Sequence, residues 1–337
     1  MGRLQQTGDG PAARDDGQAP GERMRAAGLT VLPVRRIASG DVDALRRTVA
    51  DRSGPVLCTG LTDGWGALAT WSPAELRSRH GARRVTALVG LPDTGVLLPR
   101  DQRFYEKELT FTEFVDTMLT TTVAAPCYLA YRRAHEIFDP ADYDFAALVP
   151  HDGRHHTDTR VWIGSAGTRS MLHSDLKDNL FCQVWGEKDV TLLAWRDSRA
   201  AYPFPDNLVN SQVDLGAPDL KRFPRLGRVR FWHVRMGPGD LLYMPRGCWH
   251  DVRARTPSIS INHWFGEPVG LARYLRLLAV LGPAYWRSTV RDFVGHGLLH
   301  RQEPTRFFFS PASTGKRLYD ALRSGNFSRH NDPSAPQ

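Results

Sequence analysis

A chain of 337 residues that is 41% hydrophobic can bury a full core, and the length suits one large domain with an appended segment better than several small domains. The four cysteines, Cys58, Cys127, Cys182 and Cys248, have neither paired nor CxxC spacing, which argues against a disulfide framework or a cysteine zinc site and fits reduced thiols. No apolar run is long enough to span a bilayer and the N-terminus lacks a signal-peptide core, so a cytoplasmic protein is expected; the net charge of +8 invites an acidic partner.

Residues 1–28 are rich in Gly, Ala, Asp, Arg and Gln and are expected to form a disordered tail, with Met1 and Met24 both open as the start. Residues 29–122 read as an N-terminal α/β flanking region. Within it PVLCTGLTDGWGALATW gives a buried strand, a Gly-Leu turn and a Trp-containing segment, and LTFTEFVDTML gives a short helix.

Residues 123–266 carry the strand-rich core. The run MLHSDLKDNLFCQVWGEKDVTLLAW sets His173 and Asp175 two residues apart, and alternate residues of a strand share a face. Asn179 to Trp185 has strand character, Gly186-Glu187 makes a turn, and Lys188 opens a second apolar strand through Val190, Leu192 and Leu193. A cation at the start of a buried strand is costly unless an anion meets it, although a lysine at a strand end often snorkels to water.

Lys221, Arg222, Arg225, Arg228, Arg230 and Arg235 follow, interleaved with Phe223, Phe231 and Trp232. Such a run is ordinarily a solvated face; the other reading is a basic rim at a barrel mouth that greets an acidic substrate or carrier, and nucleic acid is not expected. Asp240 to Met244 then reads as a short strand, Pro245-Arg246-Gly247 as a turn and Cys248 to Ala254 as the returning strand of a hairpin, with His250 just past the turn.

Two imidazoles and one carboxylate, from His173, Asp175 and His250, are the ligand set of a non-haem ferrous oxygenase, with one face of the metal left open. A His-x-Asp dipeptide alone is a weak signal among 12 histidines, and the joint pattern with the downstream segment is far more specific. His233 and His263 are not expected to bind the metal. Residues 267–325 change texture to helical periodicity, broken at Gly282-Pro283, and a third short helix is expected near Thr314 to Leu322. Residues 326–337 form an expected second tail.

The run RVWIGSAGTRSMLHSDLKDNLFCQVWGEKDVTLLAW, with PGDLLYMPRGCWHDV and SISINHWF, resembles the cupin-like branch of the JmjC-type 2-oxoglutarate and Fe(II)-dependent oxygenases, in the style of the asparaginyl hydroxylase of hypoxia-inducible factor. The resemblance covers roughly residues 30 to 266. It implies a mainly β fold with flanking helices, built on a double-stranded β-helix (jelly-roll) core with a C-terminal helical segment.

It further implies that His173, Asp175 and His250 hold Fe(II) and that Lys188 binds the distal carboxylate of 2-oxoglutarate. Asn179, Ser170, Tyr128 and Asn262 would line the same pocket, with Tyr131 competing for the role of Tyr128 from what a strand makes the opposite face. Trp264 is expected to pack in the core. Dioxygen and 2-oxoglutarate would then serve as co-substrates of a dioxygenase that hydroxylates an unactivated carbon on an amino-acid side chain of a peptide or protein. Demethylation, desaturation or cyclisation would use the same residues. A free amino acid or other small metabolite as substrate, and a non-catalytic cupin binding module, are the alternatives. The C-terminal helices either form a homodimer interface, as the resemblance implies, or merely cover the barrel's open edge.

Overall fold

Residues 20–92, 104–303 and 312–324 are described in this computed structural model of the chain. Order begins before residue 28. Helix α1 (Pro20–Ala26) buries Met24 completely in a cluster with Leu29, Val31, Leu226 and Phe231. The expected tail boundary is corrected accordingly, because one methionine and the strand behind it supply an anchor that the polar composition of the segment hides. Residues 326–337 lie outside the described residues.

The N-terminal region alternates short elements: β1 (Thr30–Pro33), β2 (Arg35–Ile37), α2 (Val42–Asp51), β3 (Val56–Cys58), α3 (Gly66–Thr70), α4 (Pro73–His80), β4 (Arg84–Val89), β5 (Glu106–Thr110) and α5 (Phe111–Thr120). Helix α5 starts where the sequence Thr110-x-x-Glu113 closes a reciprocal capping box. Its buried residues Phe111, Phe114, Val115 and Met118 sit in the largest apolar cluster, with Leu180, Cys182, Ile259 and Ile261 from the core strands.

The core follows with β6 (Cys127–Arg133), α6 (Phe145–Leu148), β7 (Asp158–Gly164), β8 (Arg169–Ser174), β9 (Asp178–Trp185), β10 (Lys188–Leu193), β11 (Pro203–Phe204), β12 (Asn207–Ser211), β13 (Arg230–Met236), β14 (Leu241–Met244), β15 (Trp249–Ala254) and β16 (Ser258–Phe265). The described strands form two sheets, ordered β1-β13-β10-β15-β8-β12-β11 and β2-β3-β14-β9-β16-β7-β6-β4-β5. From β7 to β10, and again from β13 to β16, successive strands change sheet at each turn. That winding is the double-stranded β-helix, and it closes the two sheets around a shared interior.

The predicted hairpin over residues 240–254 is therefore corrected. Strand β14 pairs with β3 and β9, whereas β15 pairs with β10 and β8 in the opposite sheet. The Pro245-Arg246-Gly247 turn carries the chain across the barrel. Local turn chemistry looks the same in both cases, and only the partner strands distinguish them.

Two-residue alternation separates the faces. On β9, β10 and β14 the side chains of Phe181, Val190, Leu192, Leu242 and Met244 meet inside the barrel, while Leu180, Cys182, Leu241 and Tyr243 join the cluster beneath the N-terminal helices. The crossing turn is pinned by Asp178, which is almost fully buried and accepts hydrogen bonds from Tyr243 Oη (2.9 Å) and the Arg246 backbone N–H (2.9 Å), with Arg52 Nε at 3.3 Å. Gly247 completes it at φ +84°, where a Cβ would meet the Trp195 ring at 2.7 Å.

Three described helices close the chain, α7 (Leu271–Leu281), α8 (Pro283–Asp292) and α9 (Thr314–Ser324), with a π-helical turn over Phe293–Leu298. The break between α7 and α8 falls at Gly282-Pro283 as the sequence predicts. Tyr274, Leu277 and Leu278 of α7 pack on Leu176, Leu208 and Val269 beside the barrel. Among the described residues no helix is long and apolar enough to cross a membrane.

Removing the carboxylate in Asp178→Ala leaves Tyr243 Oη and the Arg246 N–H without their acceptor. The expected cost is about 2–4 kcal/mol in urea unfolding, given the penalty for stranding buried partners of a charge. A loss below about 0.5 kcal/mol would show that the turn holds without this pin.

Candidate metal centre

Strands β8 and β15 run antiparallel in one sheet with His173 directly opposite His250. Paired residues share a face, so both imidazoles enter the barrel, their ring centroids 4.1 Å apart. Asp175 follows one residue after β8 ends, in the crossing from one sheet to the other. Its carbonyl accepts from Gly247 N–H (2.7 Å), and Ser174 Oγ donates to the Gly247 carbonyl (2.9 Å). The segment that bears the carboxylate is thus tied to the turn that precedes His250.

The result is a compact donor set: one ligand atom from each of His173, Asp175 and His250 lies within 4.8 Å of the others. His250 Nε2 is 3.5 Å from Asp175 Oδ2, and His173 Nε2 is 4.0 Å from Oδ1. Each imidazole turns its Nδ1 to a backbone carbonyl, His173 to Met171 (2.5 Å) and His250 to Cys248 (3.1 Å). A carbonyl can only accept, so Nδ1 carries the proton and Nε2 keeps its lone pair facing the carboxylate. Burial, reinforced by neighbouring His173, holds the His250 pKa below its ordinary value and keeps the ring neutral. Neutral Nε2 donors beside a carboxylate, with ring orientation set by Nδ1, fit a divalent first-row metal such as Fe(II).

The carboxylate is itself held. Asp175 Oδ2 accepts from Asn179 Nδ2 (3.0 Å) and from the Trp264 indole N–H (2.7 Å), and Asn262 Nδ2 donates to Asn179 Oδ1 (3.0 Å). The structure thus brings Asn179 and Asn262 together on the inner face, joined to each other and to Asp175. Trp264, read from the sequence as core packing, also donates to the Asp175 carboxylate. The signal was present: Trp264 alternates with Asn262 along β16, so any face that holds one holds the other.

Lys188 sits on the same interior. Its side chain is 3% exposed, so it does not snorkel, and no carboxylate or hydrogen-bond partner meets its ammonium among the described residues. Nζ lies 5.6 Å from the Phe181 ring centroid. Burial pushes its pKa down to about 7. A buried cation of this kind is a standing cost that an incoming anion offsets.

Tyr128 is buried and its hydroxyl is bonded to the side chain of Ser170; burial pushes the phenol pKa well up. Two bulges build this corner. On β8, Ser170 pairs with Val252 while His173 pairs with His250, so Met171 and Leu172 together oppose Asp251, and Ser170 and His173 share the inner face despite their spacing. On β6, Leu129 pairs with Ile163 and Arg132 with Val161, and Tyr131 takes up the extra residue at φ +58°.

The expectation that Tyr128 and Tyr131 face opposite sides is therefore corrected. Both rings approach Trp162, at 5.8 and 5.6 Å, and Tyr131 also lies 6.0 Å from Trp264 with the Arg160 guanidinium 4.6 Å over its ring. Gly164, unremarked in the sequence, makes room for Tyr128: a Cβ there would meet the Tyr128 ring at 2.6 Å.

His263 points the other way, stacked on Phe145 at 4.7 Å and bonded to Thr159, and His233 bonds Thr191 Oγ1 (3.0 Å). Neither joins the donor set. Phe223 and Leu226 of the basic segment pack with Leu172 and Trp249, neighbours of the two histidines that face outward. The segment thus lies on the outer face of the ligand-bearing sheet.

A barrel of this winding with this donor set defines a class. A family model described as the cupin-like domain matches residues 42–270, and the chain belongs to that family, within the JmjC-type 2-oxoglutarate and Fe(II)-dependent oxygenases. Among curated proteins it is 31% identical over 244 residues to lysine-specific demethylase 8 of Danio rerio, covering 69% of this chain and 58% of that protein. It is 33% identical over 147 residues to Jumonji C domain-containing protein 5 of Drosophila melanogaster (41% and 37%), and 36% identical over 215 residues to HSPB1-associated protein 1 of Rattus norvegicus (58% and 45%). The chain spans 37% to 58% of the length of these three relatives.

Ligand linkage gives a direct check on the donor set. Mn(II) at about a hundred times its Kd stabilises a folded site by about 2.7 kcal/mol, so the melting temperature should rise by roughly 5 °C. His250→Ala should melt at a temperature indifferent to Mn(II). An equal rise in both proteins would place the metal elsewhere.

Proposed function

We propose that this protein is a 2-oxoglutarate and Fe(II)-dependent dioxygenase that hydroxylates an unactivated carbon on an amino-acid side chain of a peptide or protein. The observation that carries the reading is the His173–Asp175–His250 donor set inside a barrel whose buried Lys188 meets no counter-ion among the described residues. Fe(II) with 2-oxoglutarate and dioxygen supplies oxidative decarboxylation of the 2-oxo acid to succinate and carbon dioxide, coupled to oxidation of a substrate carbon.

The chain's own residues supply position and charge. Lys188 neutralises the distal carboxylate of the 2-oxo acid, and the Tyr128–Ser170 pair fixes the same end with hydroxyl groups. Asn179 and Asn262 line the end nearer the donor set, already oriented by their bond to each other. Trp162, Tyr131 and Trp264 form an aromatic wall beside Asp175, against which the oxidised side chain is held while water is kept out.

A macromolecular substrate is preferred over a free metabolite because one relative's name specifies lysine demethylation. Demethylation of such a side chain uses the same groups and is the second reading. An acidic substrate segment or carrier suits Lys221, Arg222, Arg225, Arg228 and Arg230, exposed cations without an ion-pair partner among the described residues. Homodimerisation through the C-terminal helices rests on Leu275, Val280, Val290, Val294, Leu298, Leu299 and Leu322, which are exposed there. The buried free thiols suit a reducing cytoplasm.

Lys188→Ala should raise the Kd for 2-oxoglutarate at least tenfold, as expected for loss of a buried charge partner, with the metal-dependent thermal shift retained. Undiminished affinity would remove the assigned role. In the free protein the ammonium loses its proton as pH rises through about 7, and the dianion needs the charged form. Binding should therefore take up a proton above pH 7, and 2-oxoglutarate affinity should fall as pH rises from 7 to 9, measured by calorimetry in buffers of different ionisation heat.

Incubation of the iron-loaded protein with 2-oxoglutarate and a proteome-derived peptide library should yield succinate and a peptide heavier by one oxygen. Loss of a methyl group with formaldehyde would move demethylation to the front, and oxidation only of free amino acids would favour the small-molecule reading. No succinate from any pool would favour a non-catalytic binding module.

A further inference from the structure

Asp175 has an asymmetric hydrogen-bond environment. Oδ2 accepts two N–H groups, from Trp264 at 2.7 Å and Asn179 at 3.0 Å, whereas Oδ1 accepts none among the described residues. Asn179 cannot turn freely, because its Oδ1 is occupied by Asn262 Nδ2 at 3.0 Å. Trp264 cannot turn freely either: it is 4% exposed and its ring lies 6.0 Å from that of Tyr131. Two rigid donors on adjacent strands, β9 and β16, therefore converge on one oxygen of one carboxylate; Trp264 and Asn179 are paired residues of that ladder.

We infer that Trp264 is a positioning residue: with the Asn262–Asn179 amide pair it locks the rotation of Asp175 so that the carboxylate offers a metal one oxygen, Oδ1, rather than both. The inference rests on the proposed metal centre and concerns what the carboxylate does there.

The physical reason is a competition for lone pairs. An oxygen that already accepts two N–H groups has no lone pair left in the carboxylate plane, so chelation through both oxygens would require one of those bonds to break in a buried site. Charge-assisted bonds to a carboxylate are the stronger kind, and second-layer bonds of this type change metal affinity by about 10- to 100-fold when removed. Single-point attachment matters for function because a chelating carboxylate would occupy a position that the 2-oxo acid or dioxygen needs. Lone indole N–H groups in a core ordinarily bond a carbonyl or water; here the donor is spent on the carboxylate of the donor set.

Four proteins decide it, each assayed with Mn(II) and Co(II) alone in the absence of 2-oxoglutarate and oxygen. Wild type should bind Mn(II), and His173→Ala should not. Trp264→Phe keeps the ring and deletes the N–H. It should bind Mn(II) about tenfold more weakly and show an altered Co(II) visible spectrum and Mn(II) electron paramagnetic resonance signal, as the freed carboxylate adopts a second mode. Asn262→Leu, which releases Asn179 without touching Asp175, should shift the same spectra in the same direction by a smaller amount and serves if Trp264→Phe folds poorly.

Unchanged affinity and unchanged spectra in both variants would overturn the positioning role while leaving the metal centre intact. A weaker affinity with wild-type spectra would also overturn it, because loosened packing lowers affinity without changing the ligand mode. Absence of metal binding in folded wild type would overturn the centre itself and the inference with it.

Discussion

Everything at the candidate centre depends on one cross-strand register, His173 opposite His250, and on the two bonds that tie Ser174 and Asp175 to Gly247. A slip of one residue would send an imidazole to the outer face, where Leu172 and Trp249 now pack. The register is held from both sides. Outside, Leu172 and Trp249 are buried against the segment that contains Phe223 and Leu226. At the strand end, the crossing turn is fixed by Asp178 and by the space that Gly247 leaves for Trp195. The N-terminal helix and the basic segment, remote from the chemistry in sequence, belong to that outer support.

The interior is divided between apolar packing and a costly polar lining. Phe181, Val190, Leu192, Val234 and Met236 fill one part, while Lys188, Asn179, Asn262, Tyr128 and Ser170 occupy another. Buried amides and hydroxyls are tolerated because they satisfy each other, Asn262 with Asn179 and Tyr128 with Ser170. Lys188 is the exception. Burial depresses its pKa, and among the described residues no anion meets it; such misfits concentrate at functional sites.

The grouping of His173, Asp175 and His250 was legible from the sequence through residue type and spacing together: His173 and Asp175 by alternation, His250 by the turn before it. The break at Gly282-Pro283 and the start of α5 were legible for similarly local reasons, a helix breaker and a capping box. What could not be read is what depends on partners. Residues 240–254 look like a hairpin because turn residues do not encode which strand lies alongside, and here they lie in opposite sheets. Tyr131 defeats alternation through a bulge that no local residue announces. Met24 anchors a segment that is polar on average. The donor role of Trp264 needs the third dimension, since a tryptophan in a β16-like strand reads first as packing.

If His173, Asp175 and His250 hold Fe(II) and Lys188 anchors a 2-oxo acid beside it, anaerobic addition of Fe(II) and then 2-oxoglutarate to the purified protein, followed by visible absorption, will reveal it. Wild type should develop a weak metal-to-ligand charge-transfer band that is missing from folded His173→Ala. A folded wild-type protein that develops no such band, or a band that survives in His173→Ala, would contradict it.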